Sequence, residues 1–116
     1  MGLLDWLRGR PAARIAPHEA YARLTTGSDH TVLLDVRQPA EYGSGVAPGA
    51  LLIPLTQLGK RLNEVPRGRQ ILCICASGHR SPLASRRLSR AGFEVLDVSG
   101  GMNAWRASGL PVEKRD

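Results

Sequence analysis

Apolar residues cluster in three short runs separated by stretches of helical or turn character. "TVLLDV", from Thr31 to Val36, "QILCIC", from Gln70 to Cys75, and "FEVLDV", from Phe93 to Val98, are nearly continuous and rich in β-branched or aliphatic residues. Runs of that length and continuity predict strands buried on both faces, as in a parallel sheet. Between them the period changes. Pro17, Glu19 and Gly27 bracket "PHEAYARLTTG", with Pro at the first turn, an acid near the amino end and Gly at the stop, so a helix is expected there. "LTQLGKRLNEV", residues 55–65, repeats Leu55, Leu58 and Leu62 at three- and four-residue spacing and predicts a second helix, weakened by Gly59. "SPLASRRLSRAG" predicts a third, with Ser81 as N-cap, Pro82 at the first helical position and Gly92 at the end. "MNAWRASG" predicts a short last helix. Residues 38–55 are rich in Gly and Pro and are read as loop, with at most one turn of helix near Ala40 and Tyr42.

Strands alternating with helices imply βαβ units. The expected fold is α/β: a single-domain three-layer α/β/α arrangement with a mainly parallel central sheet. Residues 1–11 are read as an N-terminal extension, 12–113 as the domain and 114–116 as a tail. Leu3, Leu4 and Leu7, with Trp6 beside them, suggest a short helix in the extension. In such folds ligands bind beyond the carboxyl ends of the strands. That rule alone places Asp35 and Cys75 at the candidate site.

The chain has 116 residues, the size of one ordinary domain, and 42% of them are hydrophobic, enough for a normal core. Aromatics are only 4%, so that core must be aliphatic. No repeat or low-complexity tract is visible. The net charge of +6 suits encounter with small anions. Nucleic acid is not an expected partner, because the arginines are scattered and no stacking aromatics lie among them. No apolar run approaches the ~20 residues of a membrane span. The start lacks the features of a signal peptide, and Trp6 breaks the myristoylation pattern.

Both cysteines fall in one stretch, "CICASGHRSPLASRR". On an extended strand Cys73 and Cys75 would be roughly 6.6 Å apart along one face, a poor disulfide geometry. The spacing is not that of a zinc site, and His18, His30 and His79 are scattered, so no metal is expected. A reducing, cytoplasmic setting fits these thiols. Cys73, inside the strand, reads as a small buried hydrophobe. Cys75 stands where the strand gives way to a turn. Small residues at Ala76, Ser77 and Gly78 allow the turn to aim several backbone amides inward. A helix begins immediately afterwards, and His79 and Arg80 add side-chain polarity or charge. Each feature favours a thiolate, the nucleophilic form of cysteine, and Arg80 in particular is expected to help keep Cys75 ionised.

In order along the chain, "LLDVRQPAEY", "APGALLIPL", "CASGHRS" and "VSGGMNAW" resemble the single-domain rhodaneses, the thiosulfate sulfurtransferases. The resemblance runs from about Ile15 to Val112. It implies that Cys75 takes up a sulfane sulfur as a persulfide, and that Ala76, Ser77, Gly78, His79 and Arg80, followed by Ser81, form the loop that cradles it. Asp35, Arg37 and Glu41 match a supporting motif, in which Arg37 and Glu41, four residues apart, are expected to pair on a short helical turn. "GGMNAW", with Trp105, is read as packing under the loop. Cys75 would attack the outer sulfur of thiosulfate, release sulfite, and pass its terminal sulfur to cyanide or a thiol. No cofactor is implied. The expected partners are a small anionic sulfur donor and a thiol or protein acceptor, and a monomer is expected. Val46 and Ala47 depart from the family's His and Ile before "PGA", away from the sulfur chemistry. His79 lies at a variable loop position that goes with substrate choice.

Two rival readings differ in kind. A cysteine-dependent phosphatase or arsenate reductase on the same fold uses five residues between cysteine and arginine; here four residues, Ala76 to His79, separate Cys75 from Arg80. A non-enzymatic sulfur carrier or interaction module is the other, and an intact Cys75 is compatible with it.

Overall fold

The computed structural model describes residues 13–26 and 30–115. The short helix expected around Leu3 to Leu7, the rest of the extension and the helix stop expected at Gly27 lie outside the described residues. Among the described residues five strands form one wholly parallel sheet in the order β1-β5-β4-β2-β3. They are β1 (Arg14–Ile15), β2 (Thr31–Asp35), β3 (Leu51–Leu52), β4 (Gln70–Ile74) and β5 (Glu94–Val98). Among the described residues, α1 (Pro17–Thr25) links β1 to β2, α2 (Ser81–Arg90) links β4 to β5, and α3 (Gly101–Ala107) follows β5. This is the three-layer α/β/α arrangement expected from the pattern.

Alternation along the strands explains the layering, since successive side chains point to opposite faces of a sheet. Ile71, Cys73 and Cys75 share one face with Leu34, Val36 and Val95, and Ala84 and Leu88 of α2 cover them. Leu72 and Ile74 face the other way with Leu33 and Val98, under Ala20 of α1 and Met102 and Trp105 of α3. Both faces are apolar, so the central strands read as continuous runs. Trp105 is fully buried, donates its ring N–H to the Pro111 carbonyl at 2.8 Å, and meets Tyr21 edge-on at 5.9 Å between ring centres. It packs in the core, as its place in "GGMNAW" led us to expect.

Four expectations are corrected. Residues 55–65 do not form an α-helix; they make two 3-10 turns, Leu55–Gln57 and Leu62–Glu64. Gly59 weakens a helix at the middle of the segment, and Leu58 is fully buried while Leu55 and Leu62 pack at the margin of the same cluster. The leucine spacing therefore serves a tight, irregular cover over the sheet. Strands β1 and β3, two residues each, were not foreseen, because they exist through pairing with β5 and β2. Ser81 is not an N-cap. Arg80 occupies that position without a side-chain cap, and Ser81 opens α2 with its hydroxyl turned into the protein. The segment after β2 is loop apart from β3 and a 3-10 stretch at Pro39–Ser44, about two turns where at most one was expected.

Candidate active site

Strand β4 ends at Ile74, and Cys75 follows directly, between the ends of β2 and β5. Residues 76–80 turn back over its sulfur and lead into α2. Three backbone N–H groups converge on Sγ: Gly78 at 3.2 Å, Arg80 at 3.3 Å and Ser81 at 3.2 Å. Gly78 has φ +90, a left-handed conformation that a side chain would strain, and this reversal aims the amides inward. The concavity is the amide nest anticipated from "CASGHRS". Cys75 is fully buried in this state, covered by its own loop.

The loop rests on the start of α3. The Met102 amide donates to the Cys75 carbonyl at 2.7 Å, and the Asn103 amide to the Ala76 carbonyl at 2.9 Å. Gly101 makes this approach possible. Its φ is +60, and a Cβ there would stand 2.7 Å from the Ala76 carbonyl oxygen. The second glycine of "GGMNAW" is thus a spacing requirement of the active loop.

Two buried groups stand behind the sulfur. The thiol of Cys75 lies 3.4 Å from the Ser81 hydroxyl, and that hydroxyl donates to Asp97 on β5. Asp97 is buried and also lies 3.6 Å from the Arg14 guanidinium. Burial raises the pKa of Asp97, with the Ser81 hydrogen bond and Arg14 opposing it. Burial also pushes the Cys75 thiol up. The Ser81 hydroxyl and the amides of Ser81, Arg80 and Gly78 outweigh that effect, and the net pKa lies below that of an ordinary cysteine. Cys73 lies two residues away with no such cradle, and burial pushes its thiol up to about 12. Of two neighbouring thiols, only Cys75 is electronically prepared to ionise.

The supporting residues are close together but paired differently from expectation. Arg37 does not pair with the Glu41 carboxylate. Arg37 and Asp35 are both buried, and the guanidinium grips Asp35 with Nε at 3.0 Å from Oδ1 and Nη2 at 2.7 Å from Oδ2. Its remaining donors reach the carbonyls of Glu41 at 3.2 Å and Gly45 at 2.9 Å. Arg37 therefore fastens the 38–45 loop to the end of β2. The Glu41 carboxylate points instead to Arg80, with both oxygens engaged at 2.6 and 2.7 Å. That bidentate contact, opposed in part by burial, holds the Glu41 carboxyl at about 2.

The pairing changes the role of Arg80. We expected its charge to favour the Cys75 thiolate, but the guanidinium is matched by Glu41. What reaches the sulfur is the Arg80 backbone amide. The side chain acts as a tether from the active loop to residues 38–45. Ser77 and His79 are exposed at the loop's outer edge, with the hydroxyl 2.7 Å from Nδ1. Ala76 and Gly78 supply small backbone. The structure thus groups Cys75, the whole loop and Glu41 at one end of the sheet, with Asp35 and Arg37 bracing them. Asp97 was missed by sequence reasoning. Its only signal was a carboxylate inside an apolar strand, one β-ladder away from Cys73. Among the described residues no cluster of His, Cys, Asp or Glu is arranged to hold a metal ion, and no helix is long and apolar enough to cross a membrane.

Residues 16–108 match the model of the Rhodanese-like domain family. A sulfurtransferase of Allochromatium vinosum is 35% identical over 95 residues, which cover 81% of this chain and 89% of that protein. The putative sulfur carrier protein YrkF of Bacillus subtilis is 38% identical over 88 residues, covering 75% of this chain; the match spans about half, 48%, of YrkF. The crystal structure of a rhodanese-related protein from Thermoplasma volcanium superposes with a TM-score of 0.80 at 31% identity, covering 87% of this chain and 97% of the other.

Proposed function

Because this chain belongs to the rhodanese-like domain family and has a sulfurtransferase-type role, we propose that it carries sulfane sulfur on Cys75, taking it from thiosulfate or a related donor and passing it to a thiol or cyanide. The observation that carries this reading is the convergence of the Gly78, Arg80 and Ser81 amides on one sulfur atom, in a loop with four residues between cysteine and arginine.

The proposed chemistry uses that geometry. The Cys75 thiolate attacks the outer sulfur of thiosulfate; a sulfur–sulfur bond forms to Cys75, and the bond to the sulfonate sulfur breaks with its electron pair leaving on sulfite. The result is a Cys75 persulfide. Its terminal sulfur carries negative charge, and inward-facing amides stabilise it as an oxyanion hole stabilises oxygen, each donor typically worth ~3 kcal/mol. A nucleophilic acceptor then attacks the terminal sulfur and returns Cys75 as a thiolate. Splitting the transfer in two is covalent catalysis. Because Cys75 is covered in the resting state, the loop must part for the donor to reach Sγ, and the Glu41–Arg80 tether defines the closed position to which it returns. Asp35 and Arg37 act at one remove, by holding the segment that carries Glu41. A loop one residue shorter than that of the phosphatases favours a single sulfur over a phosphoryl group. YrkF is named as a sulfur carrier, which supports a protein thiol as one form of the acceptor.

The test is steady-state turnover with thiosulfate and cyanide, read as thiocyanate, beside p-nitrophenyl phosphate hydrolysis by the same preparation. Thiocyanate formation that Cys75→Ser abolishes and Cys73→Ser keeps supports the reading. Phosphate release in place of thiocyanate overturns it.

A further inference from the structure

Helix α2 has a second face besides the one that packs on the sheet. Ser81, Ala84, Ser85 and Leu88 are buried, whereas Leu83, Arg86, Arg87 and Arg90 stand at i, i+3, i+4 and i+7. That spacing is one stripe of a helix, about 10 Å long at 1.5 Å per residue. Leu83 is 54% exposed, the most exposed large hydrophobic residue described. With Leu55 these four residues line an open groove of about 320 Å³. The stripe starts three residues beyond Arg80, the residue that tethers the active loop.

Among the described residues no carboxylate matches the charges of this stripe. Arg14, Arg23, Arg37, Arg61 and Arg80 each meet a carboxylate, whereas Arg67 and Arg106 reach only the Ala91 carbonyl and the Asn103 side-chain oxygen. Helix α2 contains no acid, and none of its three arginines meets a carboxylate among the described residues. Arg86 and Arg90 are like charges four residues apart, an arrangement that opposes the helix. The Nε of Arg86 is buried yet has no hydrogen-bond partner, a condition native structures rarely leave unexplained. The helix dipole favours cations in the last turn, which suits Arg87 and Arg90. It accounts neither for Arg86 nor for the exposed Leu83.

We propose that this stripe is the docking surface for a second protein that exchanges sulfur with Cys75, one that presents carboxylates around an apolar residue beside its own thiol. The proposal rests on the sulfurtransferase reading above. A small donor anion needs only the amide nest. An open groove with Leu83 on the turn of α2 nearest the loop and arginines on the turns beyond suits an extended or helical acidic segment, with the apolar contact excluding water and the arginines setting orientation. Complementary charge of this kind acts chiefly on encounter rate and partner choice.

The probe is a synthetic peptide with one cysteine, a leucine and four glutamates, compared with the same peptide carrying glutamines. The full chain is loaded with thiosulfate, and the loss of sulfur from Cys75 is timed with each peptide, with dithiothreitol and with coenzyme A. At low ionic strength the acidic peptide should react about tenfold faster than the neutral one, within the range that electrostatic steering gives. The advantage should vanish at high salt and in Arg86→Gln/Arg87→Gln/Arg90→Gln, while discharge by dithiothreitol stays the same in both proteins. Equal rates for the two peptides, or an advantage that survives the triple substitution, would overturn the proposal. Coenzyme A discharge that is fast and lost in the triple variant would assign the groove to phosphate-bearing small thiols and overturn it equally. Binding of the fluorescently labelled peptides to unloaded protein separates the two readings. If thiosulfate does not load Cys75, the sulfurtransferase reading fails, and the charge-dependent difference in peptide affinity still decides the docking surface.

Discussion

Removing the Ser81 hydroxyl and removing the Asp97 charge should move the Cys75 thiol in opposite directions. Ser81 has one hydroxyl proton and faces two groups that want it when ionised, the Cys75 sulfur at 3.4 Å and the Asp97 carboxylate. Ser81→Ala takes away the hydroxyl but keeps the backbone amide of position 81 on the sulfur. A hydrogen bond to a charged group is worth ~1.5–3 kcal/mol. Competition from Asp97 puts this one at the low end, so the Cys75 midpoint should rise and the thiolate fraction at a given pH below it should fall about tenfold. Asp97→Asn leaves a weaker acceptor and no negative charge, so the hydroxyl turns to the thiolate and the midpoint falls. The assay is the rate of Cys75 alkylation by iodoacetamide against pH, in a Cys73→Ser background. A more basic thiolate is also a better nucleophile, with a slope of ~0.4–0.5 per pKa unit. For Ser81→Ala, therefore, the rate below both midpoints should fall only about threefold, while the plateau at high pH rises about threefold. If the two substitutions shift the midpoint in the same direction, or if Ser81→Ala leaves it in place, the hydroxyl belongs to Asp97 alone and the amides by themselves set the reactivity of Cys75.

Three further outcomes test the supporting structure. Arg37→Ala leaves the buried Asp35 without its partner, and should cost ~3–5 kcal/mol of stability in urea unfolding, with Arg37→Lys recovering only part because an ammonium cannot hold Asp35 at two points. Gly101→Ala drives a methyl group into the Ala76 carbonyl and displaces the loop; since a 1 Å misplacement costs ~100-fold in rate, turnover with thiosulfate and cyanide should fall by about that factor in a protein whose circular dichroism is unchanged. Glu41 is ionised in the folded state down to about 2, below its ordinary 4.5, so the stabilisation from its pair with Arg80 is complete above about 4.5 and is lost as pH falls towards 2. The gap in thermal midpoint between the parent protein and Glu41→Gln should accordingly be constant near neutrality and close over that acid range; a gap that persists at about pH 2 would show that the substitution disturbs something other than the ion pair.

What could be read from sequence was whatever short-range pattern determines. Strands β2, β4 and β5 are buried on both faces, so their apolar runs announce them, and the placement of Cys75 at a strand end followed from the rule for parallel sheets. The Gly78 turn and the α2 start were likewise legible, because a few adjacent residues encode them. Failures came where a local spacing had a competitor, in most cases a partner elsewhere in the chain. Ser81 has the side chain of an N-cap, but Asp97, sixteen residues on, captures its hydroxyl. Arg37 and Glu41 have the spacing of a helical pair, yet Asp35 and Arg80 hold them instead. Leu55, Leu58 and Leu62 repeat like a helix, but the segment has Gly59 at its middle, and it settles into 3-10 turns. The matched charge of Arg80 was invisible for the same reason: Glu41 is thirty-nine residues away in sequence.

Intact-mass measurement after incubation with thiosulfate tests the central claim most directly. The protein should gain the mass of one sulfur atom and lose it on addition of cyanide or dithiothreitol; Cys73→Ser should behave identically, and Cys75→Ser should gain nothing. An adduct that forms on Cys75→Ser, or a parent protein that takes up no sulfur, would contradict the assignment of Cys75 as the sulfur-carrying nucleophile.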